Sequence, residues 1–93
     1  MIIAVDFDGT LQIDGQINAV LIAQLKSRQR KGDIVILWTC REGSSLRDAV
    51  LFLREHGFAP NFINCNCPDG VKRMGHDSRK VFADIYIDDK GAR

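Results

Sequence analysis

The sequence predicts an α/β fold in which a parallel sheet of about four strands has helices packed on its faces. Four short apolar runs alternate along the chain with segments of helical periodicity, which is typical of consecutive βαβ units. The first run, Met1 to Val5, has no polar alternation, as expected for a strand buried on both faces. With 93 residues, 45% of them hydrophobic, the chain suffices for one core, so residues 1–93 are assigned to a single domain.

A small flap and a helix are predicted after the first strand. Asp14-Gly15 stands between two short extended pieces, Thr10 to Ile13 and Gln16-Ile17, and is a two-residue hairpin signal. From about Asn18 to Lys31 the apolar residues recur at helical spacing, and Gly32 is placed to end that helix.

The next strand and helix are predicted from Ile34 to Gly57. The strand is Ile34 to Trp38, which is uninterrupted by polar residues. Ser45 and Asp48 resemble the two ends of a capping box, so a second helix is expected to begin there and to run up to Gly57.

The last third of the chain has weaker patterns. We predict a third strand at Phe62 to Asn64, then a loop containing Pro68 and Gly70, a short helical turn at Ser78 to Ala83, and a fourth strand at Ile85 to Ile87. Four residues follow Asp89, and no fifth strand is expected there. Right-handed crossovers give the predicted strand order 3-2-1-4.

Charge and cysteine content exclude several classes of protein. Thirteen Lys and Arg against twelve Asp and Glu leave a net charge of +1, which argues against a nucleic-acid or membrane-surface binder. The longest apolar runs have five residues, far fewer than the roughly 20 that span a bilayer. No basic region typical of a secretory signal opens the chain, and three cysteines do not make a disulfide framework. We therefore expect a cytoplasmic protein.

Polar side chains follow three of the predicted strands. They are Asp6 with Asp8, Thr39, and Asp88 with Asp89. The carboxyl ends of parallel strands form the edge at which open α/β sheets bind ligands, and the predicted order makes the first and fourth strands neighbours. Carboxylates that converge there repel one another unless a hard cation lies between them. The pattern therefore predicts a Mg²⁺ site at this edge of the sheet.

These residues also resemble a known family. Asp6-Phe-Asp8-Gly-Thr10 after an apolar strand, Thr39, Lys80, and Ile85-Tyr-Ile-Asp88-Asp89 are similar, in order, to the four motifs of the haloacid dehalogenase superfamily. The resemblance covers nearly the whole chain and implies a three-layer Rossmann-like fold. A residue like Asp8 accompanies phosphoryl chemistry in that superfamily, whereas the dehalogenases lack it. The family's two sites of cap insertion hold only the Asp14-Gly15 hairpin and the stretch 65–79, which implies a capless member.

The resemblance also implies a role for each motif residue. Asp6 would be the nucleophile that forms an aspartyl-phosphate, and Asp8 the general acid and base. Gly9 would let the backbone turn so that amides face the phosphoryl oxygens, and Thr10 would steady that loop. Thr39 and Lys80 would hold the transferring phosphoryl group.

The metal ligands follow from the same resemblance. Mg²⁺ would be bound by Asp6, the backbone carbonyl of Asp8, and Asp88. Asp89 would lie near the ion or contact one of these ligands instead of the ion.

Several assignments have alternatives. Lys72, Arg73 and Arg79 compete with Lys80, and Asp84 competes with Asp89. Arg41 is similar to a substrate-binding arginine of some capless members, although a loop arginine in a salt bridge fits as well. A zinc site built from the cysteines at 65 and 67 with Cys40 or His76 has no standard spacing, and ordinary thiols are favoured.

The main hypothesis is therefore a Mg²⁺-dependent phosphomonoester hydrolase acting on a phosphorylated small molecule, whose identity stays open. The alternative is a phosphate-binding or regulatory module without significant turnover. A receiver domain is disfavoured, because Asn64 stands where its phospho-acceptor aspartate would be. The missing cap and small core predict a homo-oligomer, dimer or tetramer, with the flap from Leu11 to Ile17 near the site, against a monomer with an open site.

Overall fold

The computed structural model describes residues 1–92. It is an α/β domain, which confirms the predicted class. Its elements are β1 (Ile2–Val5), β2 (Gln12–Ile13), β3 (Gln16–Ile17), α1 (Ala19–Arg30), β4 (Ile34–Leu37), α2 (Gly43–Glu55), β5 (Phe62–Ile63), α3 (Pro68–Met74), β6 (Ile85–Asp88) and β7 (Gly91–Ala92). Among residues 1–92, every helix is too short or too polar to cross a membrane.

Within the described residues the main sheet has the order β5-β4-β1-β6-β7. The first four strands are parallel, and β1 lies in the centre with Val5 level with Leu37 on β4 and with Ile87 on β6. The expectation that no strand follows Asp89 is wrong, because β7 pairs antiparallel with β6. Asp88 Oδ1 accepts the Lys90 backbone N–H at 2.8 Å, which closes a turn too short to leave a strand pattern in the sequence.

The side chains of β1 alternate between two buried clusters, one on each face of the sheet. The first cluster includes residues of α1 and α2 and comprises Ile3, Val5, Phe7, Leu11, Ile22, Leu25, Val35, Leu37, Ala49, Leu53 and Phe58. The second cluster comprises Ile2, Ala4, Ile36, Cys67, Val81 and Ala83. The long helices therefore cover one face, and α3 with the segment after it covers the other.

The flap and the first helix form where the sequence predicts them. β2 and β3 pair as an antiparallel hairpin, and Asp14 (φ 52°) and Gly15 (φ 80°) form its turn, as the paired positive angles of a type I′ turn require. Asn18 caps α1, since its Oδ1 accepts the Leu21 N–H at 3.2 Å.

The predicted capping box at Ser45 is wrong, because α2 begins two residues earlier at Gly43. The Glu42 carbonyl accepts the Leu46 N–H at 3.4 Å, so the first helical turn already closes on residue 42. The Ser45 hydroxyl donates to the same carbonyl at 3.3 Å. This serine therefore supports the first turn as a donor and does not cap it as an acceptor.

The predicted loop and helical turn of the last third of the chain are also wrong. Pro68 opens α3 at a position where a proline needs no N–H, and Cys67 Sγ accepts the Gly70 N–H at 3.4 Å as its cap. Residues 78–83 are not helical. Val81 and Ala83 are both buried in the second cluster, and in this non-helical segment their two-residue spacing is that of an extended chain.

Candidate functional site

The candidate site lies where β1, β4 and β6 end. The sheet ladder continues one residue past the strands, since Asp6 donates its N–H to the Ile87 carbonyl and Trp38 donates to the Val5 carbonyl, both at 2.9 Å. Asp6, Trp38 and Asp88 therefore emerge at one edge, as parallel pairing requires. The structure thus brings together the first and fourth of the predicted motifs.

Asp6 is half-buried at this edge. Its Oδ1 accepts the N–H of Phe7 at 2.8 Å, which fixes the carboxyl group. Burial is the main cause that raises the pKa of Asp6. The Phe7 hydrogen bond opposes this rise, whereas the negative charges of Asp8, Asp89 and Asp88 add to it. The carboxyl groups of Asp8, Asp88 and Asp89 therefore lie close enough to Asp6 for their charges to act on it.

Asp8 is held by Arg41. The guanidinium donates from Nε to Oδ2 at 2.9 Å and from Nη2 to Oδ1 at 2.8 Å, which is a bidentate pair. It also donates to the Ser45 carbonyl at 3.1 Å and lies 4.8 Å from the centre of the Phe7 ring. The Arg41 hydrogen bond and charge lower the pKa of Asp8. Asp8 is therefore a carboxylate in this arrangement, even though its side chain is 54% exposed.

The loop after Asp8 turns tightly. Gly9 has a φ of 77°, and a Cβ at this position would lie 3.5 Å from Asp89 Cβ, so the loop passes close to the turn after β6. Thr10 is buried, and its hydroxyl has no hydrogen-bond partner among the described residues. The Thr10 backbone N–H instead donates to the Phe7 carbonyl at 3.2 Å. Thr10 thus contributes to the loop through its backbone.

Thr39 is positioned by Asn64. The Thr39 N–H donates to Asn64 Oδ1 at 2.8 Å, and the Asn64 N–H donates to the Leu37 carbonyl at 2.8 Å. The Thr39 hydroxyl accepts the Arg41 N–H at 3.1 Å. Thr39 and Arg41 therefore form one loop at the edge, braced from β5 by an asparagine.

Lys80 lies at the side of this edge. Its ammonium is 5.2 Å from the centre of the Tyr86 ring, a cation–π contact. Within residues 1–92, Lys80 forms no ion pair with Asp6. One of its competitors, Arg73, is placed elsewhere, since it pairs with Asp84 at 2.7 Å. Asp84, the alternative to Asp89, accepts the Ile2 N–H at 2.7 Å. Asp84 therefore belongs to the opposite end of the sheet from Asp6.

The described part of the chain contains no group of three or more His, Cys, Asp or Glu side chains arranged as a metal site. Cys67 is buried as the cap of α3, whereas Cys40 and Cys65 are exposed free thiols. Asp88 accepts the Lys90 N–H, and Asp89 is exposed beside Gly9.

A cleft of about 280 Å³ opens beside Asp6. Its lining includes Asp6 and Asp88, the residues 38–40 that follow β4, and the β6 residues Tyr86 and Ile87. Trp38 and Tyr86 form one side of it, with ring centres 5.8 Å apart and planes tilted by 56°. The candidate nucleophile therefore faces a space with an aromatic wall.

The sequence reasoning missed three residues of this edge. The sequence predicts Trp38 as a strand end, Tyr86 as part of the fourth strand and its motif, and Asn64 as the end of the third strand and an argument against a receiver domain, with no role at the site for any of them. A signal for Asn64 exists, since asparagine directly after a strand often takes a left-handed backbone, and its φ is 52°. The pairing of Trp38 with Tyr86 depends on the strand order.

Comparisons with known proteins found one strong likeness. A conserved protein from Bacteroides thetaiotaomicron has a solved structure that matches this chain with a TM-score of 0.81 and 35% sequence identity. The match covers 98% of this chain and 77% of that one. A scan against family models and a search of curated proteins gave no match.

Proposed function

We propose that this chain, which belongs to the same family as the conserved Bacteroides thetaiotaomicron protein, is a Mg²⁺-dependent phosphomonoester hydrolase of the haloacid dehalogenase superfamily. One observation carries the proposal: half-buried Asp6 stands at the end of the central strand, close enough to Asp8, Asp88 and Asp89 for their charges to raise its pKa. The strand order β5-β4-β1-β6 supports a Rossmann-like arrangement of three layers, since α1 and α2 share one face and α3 lies on the other.

Asp6 is the proposed nucleophile. The Phe7 N–H holds Oδ1, which leaves Oδ2 to attack phosphorus in line with the ester oxygen. The new O–P bond forms an aspartyl-phosphate while the bond to the alcohol breaks. Water then attacks the phosphorus of this intermediate, which frees inorganic phosphate and restores the Asp6 carboxylate.

Asp8 is the proposed general acid and base. It gives a proton to the departing alcohol and takes one from the attacking water. Because the bidentate pair with Arg41 keeps Asp8 deprotonated, the pair must open before the first of these transfers. An entering phosphoryl group offers Arg41 a competing anion. We therefore assign Arg41 to phosphate binding, which releases Asp8 for its acid role.

The oxygen donors at this edge fit Mg²⁺. The ion prefers hard oxygen ligands and keeps several waters, so one or two carboxylates suffice and a prearranged group of three is not required. Asp6, Asp88 and the Asp8 carbonyl would hold it, with Asp89 nearby. When bound, Mg²⁺ neutralises negative charge on the phosphoryl oxygens. Burial is the main cause that raises the pKa of Asp6, and repulsion from Asp8, Asp89 and Asp88 adds to it, which also supports a cation at this place.

The second candidate is a phosphate-binding module without turnover. Two contacts favour it: Arg41 engages Asp8, and Lys80 rests on Tyr86 and makes no ion pair with Asp6 within residues 1–92. Both candidates predict phosphate binding, and only the hydrolase predicts release of phosphate from an ester.

Phosphate release from 4-nitrophenyl phosphate tests the proposal. We expect turnover with Mg²⁺, none with EDTA, and a loss of at least about 100-fold in Asp6→Asn, because an amide cannot attack phosphorus. Asp69→Asn is the matched control, since Asp69 is an exposed residue of α3, and this variant should keep wild-type activity. Thermal unfolding should show that both variants are folded. Undiminished activity in Asp6→Asn would contradict the mechanism.

A further inference from the structure

The cleft beside Asp6 contains the only tryptophan and the only tyrosine of the sequence. Tyr86 is fixed, because its hydroxyl donates to the Val81 carbonyl at 2.6 Å and accepts the Ala83 N–H at 3.1 Å. Trp38 packs against this fixed ring but stays 37% exposed. The indole thus presents a preorganised apolar surface at the mouth of the cleft.

Core packing does not account for the position of Trp38. Neither buried cluster includes Trp38, and Trp38 is not among the half-buried residues that pack against those clusters. Its backbone is held by the N–H donated to the Val5 carbonyl, which any residue type could provide. A large exposed apolar ring beside a candidate nucleophile is therefore available to a ligand.

The polar groups of the cleft are concentrated at one end. Asp6, Thr39 and Asp88 lie at the edge where phosphate would react, whereas the remainder is lined by Ala4, Trp38, Cys40, Tyr86 and Ile87. A sugar placed against that remainder would leave several hydroxyls without partners, which is costly when they are desolvated. A flat aromatic ring has no hydroxyls to desolvate and can stack on the aromatic side chains of the cleft.

We propose that the substrate is a phosphomonoester whose alcohol carries an aromatic ring, and that Trp38 selects it by stacking. The inference rests on the proposed hydrolase activity. The cleft, about 280 Å³ in volume, has room for one ring and the atoms that join it to the phosphate. Stacking on a protein aromatic side chain contributes a factor of about 5 to 100 in affinity.

Two esters of similar size test this proposal: benzyl phosphate and cyclohexylmethyl phosphate. Both are esters of primary alcohols, so leaving-group chemistry is nearly equal and the rings differ in flatness and π-electrons. We expect kcat/KM to favour the benzyl ester about 10-fold in the wild type. Trp38→Ala should remove the preference and Trp38→Phe should keep most of it. Leu51→Ala, which removes another exposed apolar side chain, should leave it unchanged.

Equal kcat/KM for the two esters, or a preference that survives in Trp38→Ala, would overturn the proposal. A preference for a sugar phosphate over the benzyl ester would equally overturn it.

A binding measurement separates this proposal from the proposed activity. Because Trp38 is the only tryptophan, its fluorescence reports on this cleft alone. Benzylphosphonate, which cannot be hydrolysed at its P–C bond, should change the emission at a concentration about 10-fold below that of cyclohexylmethylphosphonate. This result without any ester turnover would support the aromatic site and refute the hydrolase. Equal binding of the two phosphonates would refute the aromatic site whatever the turnover.

Discussion

The face of the sheet under α1 and α2 differs from the opposite face in what holds its cover in place. On the first face, two long helices bury Leu25, Ala49 and Leu53 against the strands. On the second face, α3 has seven residues, and the segment that follows it has no regular structure up to β6.

Hydrogen bonds from side chains supplement the apolar contacts on the second face. Asn66 Oδ1 accepts the Phe82 N–H, and the Tyr86 hydroxyl bonds to the backbone of Val81 and Ala83. Asp84 accepts the Ile2 N–H and pairs with Arg73. A chain without helical or sheet pairing must satisfy its backbone in this way. The comparison predicts that apolar truncation is most damaging on the first face and loss of polar partners on the second.

The largest effect is expected for Leu53→Ala on the first face. Leu53 is fully buried, and truncation of such a leucine lowers the free energy of unfolding by about 2–5 kcal/mol. Leu51→Ala on the same helix is the control, because Leu51 is 47% exposed and its truncation should cost less than about 0.5 kcal/mol. Urea unfolding measures both changes. Similar losses in the two variants would mean that α2 does not close this face.

A smaller effect is expected for Asn66→Ala on the second face. The variant leaves the half-buried Phe82 N–H without a partner and removes bonds from Nδ2 to Asp77 Oδ1 at 2.9 Å and to the Ser78 carbonyl at 3.0 Å. We expect a loss of about 1–3 kcal/mol. Hydrogen exchange should quicken most at the Phe82 amide. Protection of that amide equal to the wild type would contradict the polar account of this face.

The smallest effect is expected for Asp84→Asn, which keeps an acceptor for the Ile2 N–H and removes the charge opposite Arg73. Arg73 is the main cause that lowers the pKa of Asp84 below 3.8, followed by the Ile2 hydrogen bond. Because the pKa is lower in the folded state, the carboxylate stabilises the fold above pH 3.8 and this contribution disappears as the pH falls through the folded-state pKa.

For this exposed pair we expect a difference from the wild type of less than about 1 kcal/mol at pH 7, further reduced by salt. Urea unfolding from pH 7 into the acid range measures it. A difference that increases on acidification would have the wrong sign for an ion pair.

The same contrast explains which parts of the fold could be predicted. On the first face, periodicity predicts α1 and the strands, because apolar burial there coincides with helical and strand spacing. On the second face, the alternation of Val81 with Ala83 covers too few residues to distinguish an extended chain from a turn of helix. Gly70 is instructive, because a Cβ there would come 3.4 Å from Phe82 Cδ1. A glycine interpreted as a loop residue is thus a buried position of close packing between α3 and the segment after it.

The candidate site shows a similar division. The positions of Asp6 and Asp88 at one edge follow from strand ends and strand order, both of which leave local patterns. The bidentate contact between Arg41 and Asp8 and the brace from Asn64 to Thr39 join residues 33 and 25 positions apart. No local spacing encodes such contacts. They depend on the loops after β1, β4 and β5 meeting in the folded chain.

The flap has a consequence for engineering of the molecule. Its two ends are tied together at the base, since Asn18 donates its backbone N–H to the Leu11 carbonyl at 2.8 Å and its side-chain Nδ2 to the Thr10 carbonyl at 3.0 Å. The exposed Asp14-Gly15 turn projects from this tied base, and Gln12 connects it to Asp8, since the Gly15 N–H donates to Gln12 Oε1 and Gln12 Nε2 donates to Asp8 Oδ1 at 3.5 Å. A segment inserted in this turn begins and ends at two positions that are already held together. The conformational entropy lost on closing the inserted loop rises only slowly with the length of the insert. The turn is accordingly a place where the domain can accept a foreign module, provided that Gln12 keeps its contact with Asp8 at the candidate site.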